Sequence, residues 1–296
     1  MLYGSDAMSG VVNIVTRRAR KPLEVGARFD YGSFSTIHSR ISAGTKQGDF
    51  HALASVDKAV SDGHLPNSEY NGSDFSLRAG YKLNPRFDVD FTGKYFTGVK
   101  HEPSKATAPD SVATGWNQYD RGGLDLTATA NTDVVNGFLK LYRTFGEHQF
   151  DPDDGWHSQD HTDGALLHLH RRLVPGNLLQ FGIDLKHQQG NWWAKFSGRP
   201  DSGAVARLEG AAFIQDEQEF GPVAANAGVR LHLDEDAGIV LAPKAGLVVR
   251  LPLRASVRAS VNRGFRAPSF NYTTFLPPHN PDLKPEYSWN LSLIHI

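Results

Sequence analysis

Cysteine is absent from all 296 residues, which excludes disulfide scaffolds, cysteine-based zinc sites and thiol catalysis. Charge of one sign is also missing. Thirty-one Lys+Arg against 32 Asp+Glu leave a formal net charge of −1, so no basic excess points to nucleic acid. No stretch approaches the ~18 apolar residues that a membrane helix needs, and the mean hydropathy is −0.40. Membrane helices are therefore excluded. A membrane β-barrel is not, because each strand shows lipid only every second residue and averages to a soluble-looking value. Signatures of phosphate loops, nucleophile elbows and H-E-x-x-H zinc helices are missing as well. The reading is of a non-enzyme. A soluble β-domain and a passive porin- or adhesin-type barrel stand as alternatives to a receptor barrel.

What the chain does have is alternation. Leu23, Val25, Ala27, Phe29 and Tyr31 fall on one face of an extended strand, and Glu24, Gly26, Arg28 and Asp30 on the other. Phe75-Leu77-Ala79-Tyr81-Leu83 repeats the pattern, as do Leu179-Phe181-Ile183-Leu185 and Leu253-Ala255-Val257-Ala259-Val261. About thirteen such segments are read, at 23–34, 36–45, 50–60, 73–83, 86–98, 120–131, 136–148, 162–173, 177–189, 205–218, 223–234, 238–251 and 253–263, with a fourteenth from Glu286. Many exceed the usual globular strand and approach the ~9–11 residues of a tilted membrane strand.

The connections alternate too. Short turns fall at Gln47-Gly48-Asp49, Asn84-Pro85, around Asp133, at Val174–Asn177, Gly221-Pro222 and Pro252; longer links are expected over 58–72, 99–119, 149–161, 190–204 and 264–285. Outer-membrane barrels have this phase, with tight periplasmic turns and longer extracellular loops.

Two motifs are more specific. Tyr3-Gly4-Ser5-Asp6-Ala7-Met8-Ser9-Gly10-Val11-Val12-Asn13-Ile14 is a small-residue turn entering a β-branched strand. Far downstream, Gly264-Phe265-Arg266-Ala267-Pro268 precedes Asn280-Pro281-Asp282-Leu283-Lys284-Pro285-Glu286, where the prolines stop a strand and Asn-Pro starts a turn. The first string resembles the end of the plug domain of TonB-dependent outer-membrane receptors, with Ser9 where the family usually has glycine. The second pair resembles two barrel signatures of the same family, which flank an extracellular loop there.

The resemblance implies an all-β fold: an antiparallel transmembrane barrel of about 22 strands when complete, of which this chain would supply about 13–14 after the last plug strand. Residues 1–20 would be the plug remnant and 21–290 a partial barrel. With no secretory leader after Met1, a start in mid-protein is expected. Leu291-Ser292-Leu293-Ile294-His295-Ile296 matches one frame of the transposase adaptor of shotgun sequencing libraries, so 291–296 is expected to be adaptor read-through. The implied function is active uptake of a scarce nutrient, a ferric siderophore first, with haem or cobalamin next. The implied partners are TonB, whose contact segment would lie upstream, and outer-membrane lipid.

Ligand candidates are aromatic and histidine residues in the loop phase: Trp156, His157, Trp192, Trp193 and His279. Trp192 and Trp193 also suit an interfacial aromatic girdle, together with Tyr31, Phe34, Tyr81, Tyr95, Phe96 and Phe145. Histidines 157, 161, 168 and 170 could ligate a metal or haem iron but read as ordinary loop and lumen polar residues, and Asp151–Gly155 loosely resembles a calcium loop but lacks the carboxylate spacing and terminal Glu of an EF-hand. No metal site or cofactor is assigned.

Overall fold

A computed structural model describes residues 16–103, 115–150, 155–196, 199–236, 238–275 and 280–296. The plug-like string Tyr3–Ile14, Asp151–Asp154 and His279 lie outside the described residues. Among the described residues fourteen strands follow one another: β1 (Glu24–Gly32), β2 (Thr36–Gln47), β3 (Phe50–Ser61), β4 (Tyr70–Asn84), β5 (Phe87–His101), β6 (Trp116–Asn131), β7 (Asn136–Phe150), β8 (Trp156–Arg171), β9 (Asn177–Phe196), β10 (Arg199–Phe220), β11 (Val223–Asp234), β12 (Gly238–Arg250), β13 (Ser256–Arg266) and β14 (Glu286–His295). They form one sheet in sequence order, every neighbour antiparallel. Among the described residues, β1 and β14 each pair on one side only. No described helix is long and apolar enough to cross a membrane.

The two faces separate as alternation requires, since cross-strand register partners share a face. Phe29, Ile41, Val56, Leu77, Leu126, Leu141, Leu185, Leu208, Leu231 and Leu241 stand on the outer face and are all exposed. Asp57, Asp90, Asn117, Arg207, Glu209, Gln215, Arg230, His232 and Asp234 stand on the inner face and are buried. A soluble sandwich would invert this. An apolar exterior around an ion-paired interior is the arrangement that lipid demands of a barrel wall.

The tight turns owe their shape to local backbone chemistry. Gly48 and Gly221 open two-residue hairpin loops with φ of 58° and 56°, the positive φ at the first central position that a II′ turn needs. The β1–β2 hairpin makes a similar reversal without glycine: Phe34 and Ser35 both have positive φ, and Thr36 N donates to Ser33 O at 3.2 Å.

Two expectations are corrected. The link expected over 190–204 is instead strand, with β9 and β10 paired out to Phe196 opposite Arg199; β8 likewise starts at Trp156 rather than 162. The loop-end residues there, such as Gln188, Gln189 and Asn191, are polar on both faces. Hydrophobic alternation stops where the strand leaves lipid, while the hydrogen-bond ladder continues. In the other case, Pro252–Arg254 is a 3₁₀ turn with Leu253 at φ 61° and fully exposed. The strand therefore begins at Ser256, after the proline-led turn.

Candidate functional site

At the turn end, the chain entering the barrel is clamped to its wall. Asp90 on β5 accepts from Arg78 Nε on β4 at 3.0 Å, has His51 Nε2 at 3.0 Å, and is paired with Arg18. Arg78 Nη1 in turn donates to Thr16 O and Oγ1 at 2.7 and 2.9 Å. Three cationic or imidazole groups around one buried carboxylate satisfy a charge that would be costly alone.

At the loop end, aromatic residues gather on the inner face. Trp156 opens β8 and Trp192 lies near the end of β9; pairing of Ser158 with Trp192 and of Trp156 with Ala194 places both indoles inward. Their rings stack 5.5 Å apart at 6°. Phe275, from the segment after β13, stands edge-on to both at 5.7 Å, the favoured aromatic geometry. Trp192 is buried, and among the described residues its Nε1 has no hydrogen-bond partner. It lies flat on β10 because Gly203 has no side chain; a Cβ there would come within 2.8 Å of Nε1.

The barrel motif builds the other half of this site. Phe265 is buried with its ring 4.8 Å from His232. Pro268 O accepts from Arg207 Nη2 at 3.0 Å, Arg207 Nε donates to Asp236 Oδ2 at 2.7 Å, and the guanidinium lies 4.3 Å over the Phe270 ring. Phe270 continues to Phe275 at 6.2 Å. Gly264 and Arg266 complete β13, Arg266 opposite Glu286, and Ala267 is buried. Asn280 N donates to Tyr272 O at 2.8 Å while its Oδ1 accepts from Asp282 N at 2.9 Å. Leu283 N reaches Asn280 O at 3.4 Å. Thus Asn280-Pro281-Asp282-Leu283 is an Asx-type turn that returns the chain to Pro285 and β14 at Glu286.

Of the sequence candidates, Trp156 and Trp192 come together, and His157 and Trp193 do not join them. Those two are register partners on the outer face. His157 Nε2 sits 2.8 Å from Glu147 Oε1, and Trp193 is 46% exposed, in keeping with a girdle. Tyr31, Tyr81, Tyr95 and Phe145 also face outward; Phe96 is instead inward, against Gly72 and Gly98.

Sequence reasoning missed three things. Arg207 gave no local signal, since it faces a loop some sixty residues away. Tyr119 and His148 stack 4.3 Å apart at 7° on the inner rim. Glu209, His232 and Asp234 converge, all buried, with ligand atoms within 4.8 Å of one another. The i, i+2 spacing of His232 and Asp234 put them on one face, but only the register Glu209↔Asp234 adds the third group. Among the described residues, His157, His161, His168 and His170 belong to no such trio.

An antiparallel wall, apolar outside and ion-paired inside, with short turns at one end and an aromatic site at the other, is that of an outer-membrane β-barrel. The model of the TonB dependent receptor-like β-barrel family matches residues 23–293, and the chain belongs to that family. It is 25% identical over 327 aligned residues to the iron-regulated outer membrane virulence protein of Vibrio cholerae serotype O1 (El Tor), covering 99% of this chain and 48% of that protein. It is 24% identical over 314 residues to the vitamin B12 transporter BtuB of Vibrio vulnificus, covering 97% and 48%. The fold is similar to the crystal structure of the siderophore receptor PirA from Pseudomonas aeruginosa, with a TM-score of 0.77 at 17% identity over 98% of this chain and 56% of that one. The chain spans about half the length of the curated relatives it matches.

Proposed function

We propose that this chain is part of the barrel of a transporter that takes up a ferric siderophore, with haem and cobalamin as the next candidates, and that TonB energises it in the full-length protein. In this reading residues 1–20 belong to the plug, and the stacked Trp156–Trp192 pair with Phe275 and Arg207 is the loop-end ligand surface. The observation that carries the reading is that aromatic stack beside a buried arginine on the inner rim. Flat aromatic faces bind the ring systems of catecholate, haem or corrin ligands, and a guanidinium attracts the negative charge that ferric siderophores carry. Support also comes from the relatives, one iron-regulated and one a vitamin B12 transporter, and from the fold shared with a siderophore receptor.

The test is uptake by the full-length gene product in a strain lacking its own receptors, with labelled ferric siderophores, haem and cobalamin offered in turn. The reading expects TonB-dependent uptake of a ferric siderophore, reduced by Trp192→Ala. Uptake independent of TonB would overturn the transporter mechanism, and cobalamin or haem alone would overturn the ligand.

A further inference from the structure

We propose that Glu209, His232 and Asp234 form a binding site for one divalent transition-metal ion of the zinc type, built into the inner wall between β10 and β11. The three residues are 5%, 2% and 6% exposed. Each carboxylate uses one oxygen on a protein donor and turns the other toward the imidazole. Glu209 Oε1 takes Lys186 Nζ at 2.7 Å, while Oε2 lies 3.7 Å from His232 Nε2. Asp234 Oδ1 accepts from the Asp236 backbone N–H at 2.8 Å, while Oδ2 lies 3.8 Å from the same Nε2.

His232 is the observation that points to a ligand. Among the described residues, neither ring nitrogen has a hydrogen-bond partner. A buried imidazole without a hydrogen bond carries a desolvation cost that proteins rarely leave unanswered. Its distances to the two carboxylate oxygens are too long for hydrogen bonds. They are close to what one shared ion would set, because ligands about 2.1 Å from a tetrahedral centre stand roughly 3.4 Å apart. One imidazole with two carboxylates is a donor set that suits zinc and its first-row neighbours rather than the all-oxygen cages of Ca²⁺ or Mg²⁺.

The surroundings fit a closed, dry site. Phe265 covers the imidazole from the β13 side, and Val240 and Ala211 flank it in register on β12 and β10. Lys186 offsets one of the two carboxylate charges, so the two carboxylates keep a net negative charge for a cation. Nearby cations have carboxylates of their own: Arg230 pairs with Asp184 at 3.0 Å and Arg207 with Asp236 at 2.7 Å. A bound ion would tie the loop end of β11 to the middle of β10 beneath Phe265, next to the aromatic surface but separate from it.

The test uses the protein carrying this barrel, purified in detergent, stripped with a chelator, and titrated with Zn²⁺, Ca²⁺ and Mg²⁺. The expected result is one Zn²⁺ retained per chain through gel filtration, with Ca²⁺ and Mg²⁺ failing to compete. Glu209→Gln, His232→Gln and Asp234→Asn should each weaken Zn²⁺ binding by more than about tenfold, and His170→Gln should not. If a variant does not assemble, Co²⁺ added to the unmodified protein supplies the second readout, a visible absorption displaced by one equivalent of Zn²⁺. No retained ion in the assembled barrel, equal retention by the three variants, or equal competition by Ca²⁺ would overturn the assignment. Because these readouts need no siderophore, their failure leaves the uptake reading intact and the reverse also holds.

Discussion

Arg78 bridges two partners that the chain separates widely: its Nε donates to Asp90 on the neighbouring strand, and its Nη1 donates to Thr16, just before the barrel begins. Removing the carboxylate leaves Arg78 and His51 without their anion inside the wall. Asp90→Ala should therefore lower barrel stability by about 3 kcal/mol, since breaking a buried pair strands the other charge. Denaturant unfolding reads the loss, and trypsin should cut faster after Arg17 and Arg18 in the variant than in the parent.

Membrane exposure is tested by adjacent positions. Leu126 faces outward and its neighbour Thr127 inward on β6. Leu126→Arg should cost ~2–4 kcal/mol if it lies near the bilayer midplane, while Thr127→Arg faces a polar interior and should cost much less. Equal losses of assembled barrel in membrane fractions would contradict the sidedness.

The aromatic surface gives a binding prediction. On the proposed reading, Trp192→Ala should weaken capture of a ferric siderophore by about 2 kcal/mol, roughly thirtyfold, the loss expected for a central indole. Gly203→Val should mimic it without touching an aromatic residue, because the new side chain would push the ring away. Equilibrium binding to detergent-purified protein measures both.

Arg207 serves the loop as much as any ligand. In Arg207→Lys the ammonium keeps the charge but loses the fork that reaches Asp236 and Pro268 together and the flat face over Phe270. Hydrogen exchange at residues 269–275 should quicken several-fold while β10 itself stays protected. An unchanged exchange pattern would show that Arg207 does not hold that segment.

The strands were legible because lipid on one side and an ionic interior on the other force strict alternation, as in β4 and β9. Legibility ended where lipid ended. Gln188, Gln189 and Asn191 belong to a ladder that no hydrophobic pattern announces, so the upper parts of β9 and β10 read as a loop. The Pro268 and Asn280-Pro281 signals marked a loop correctly, since proline and Asx chemistry act locally. The partnership of Trp156 with Trp192, and of Glu209 with His232 and Asp234, depends on register between distant strands. Only the fold supplies that.

The length of β9 carries one more consequence. Twenty residues at about 3.3 Å each give ~66 Å of strand, and a tilt near 40° still leaves roughly 50 Å along the barrel axis, against an apolar band of about 25 Å. Trp192 is thus carried toward the cell exterior on a stiff, doubly paired mast rather than on a mobile tether. Its conformational entropy is surrendered when the barrel folds and not when a ligand arrives, so a molecule meeting that indole finds a surface already set.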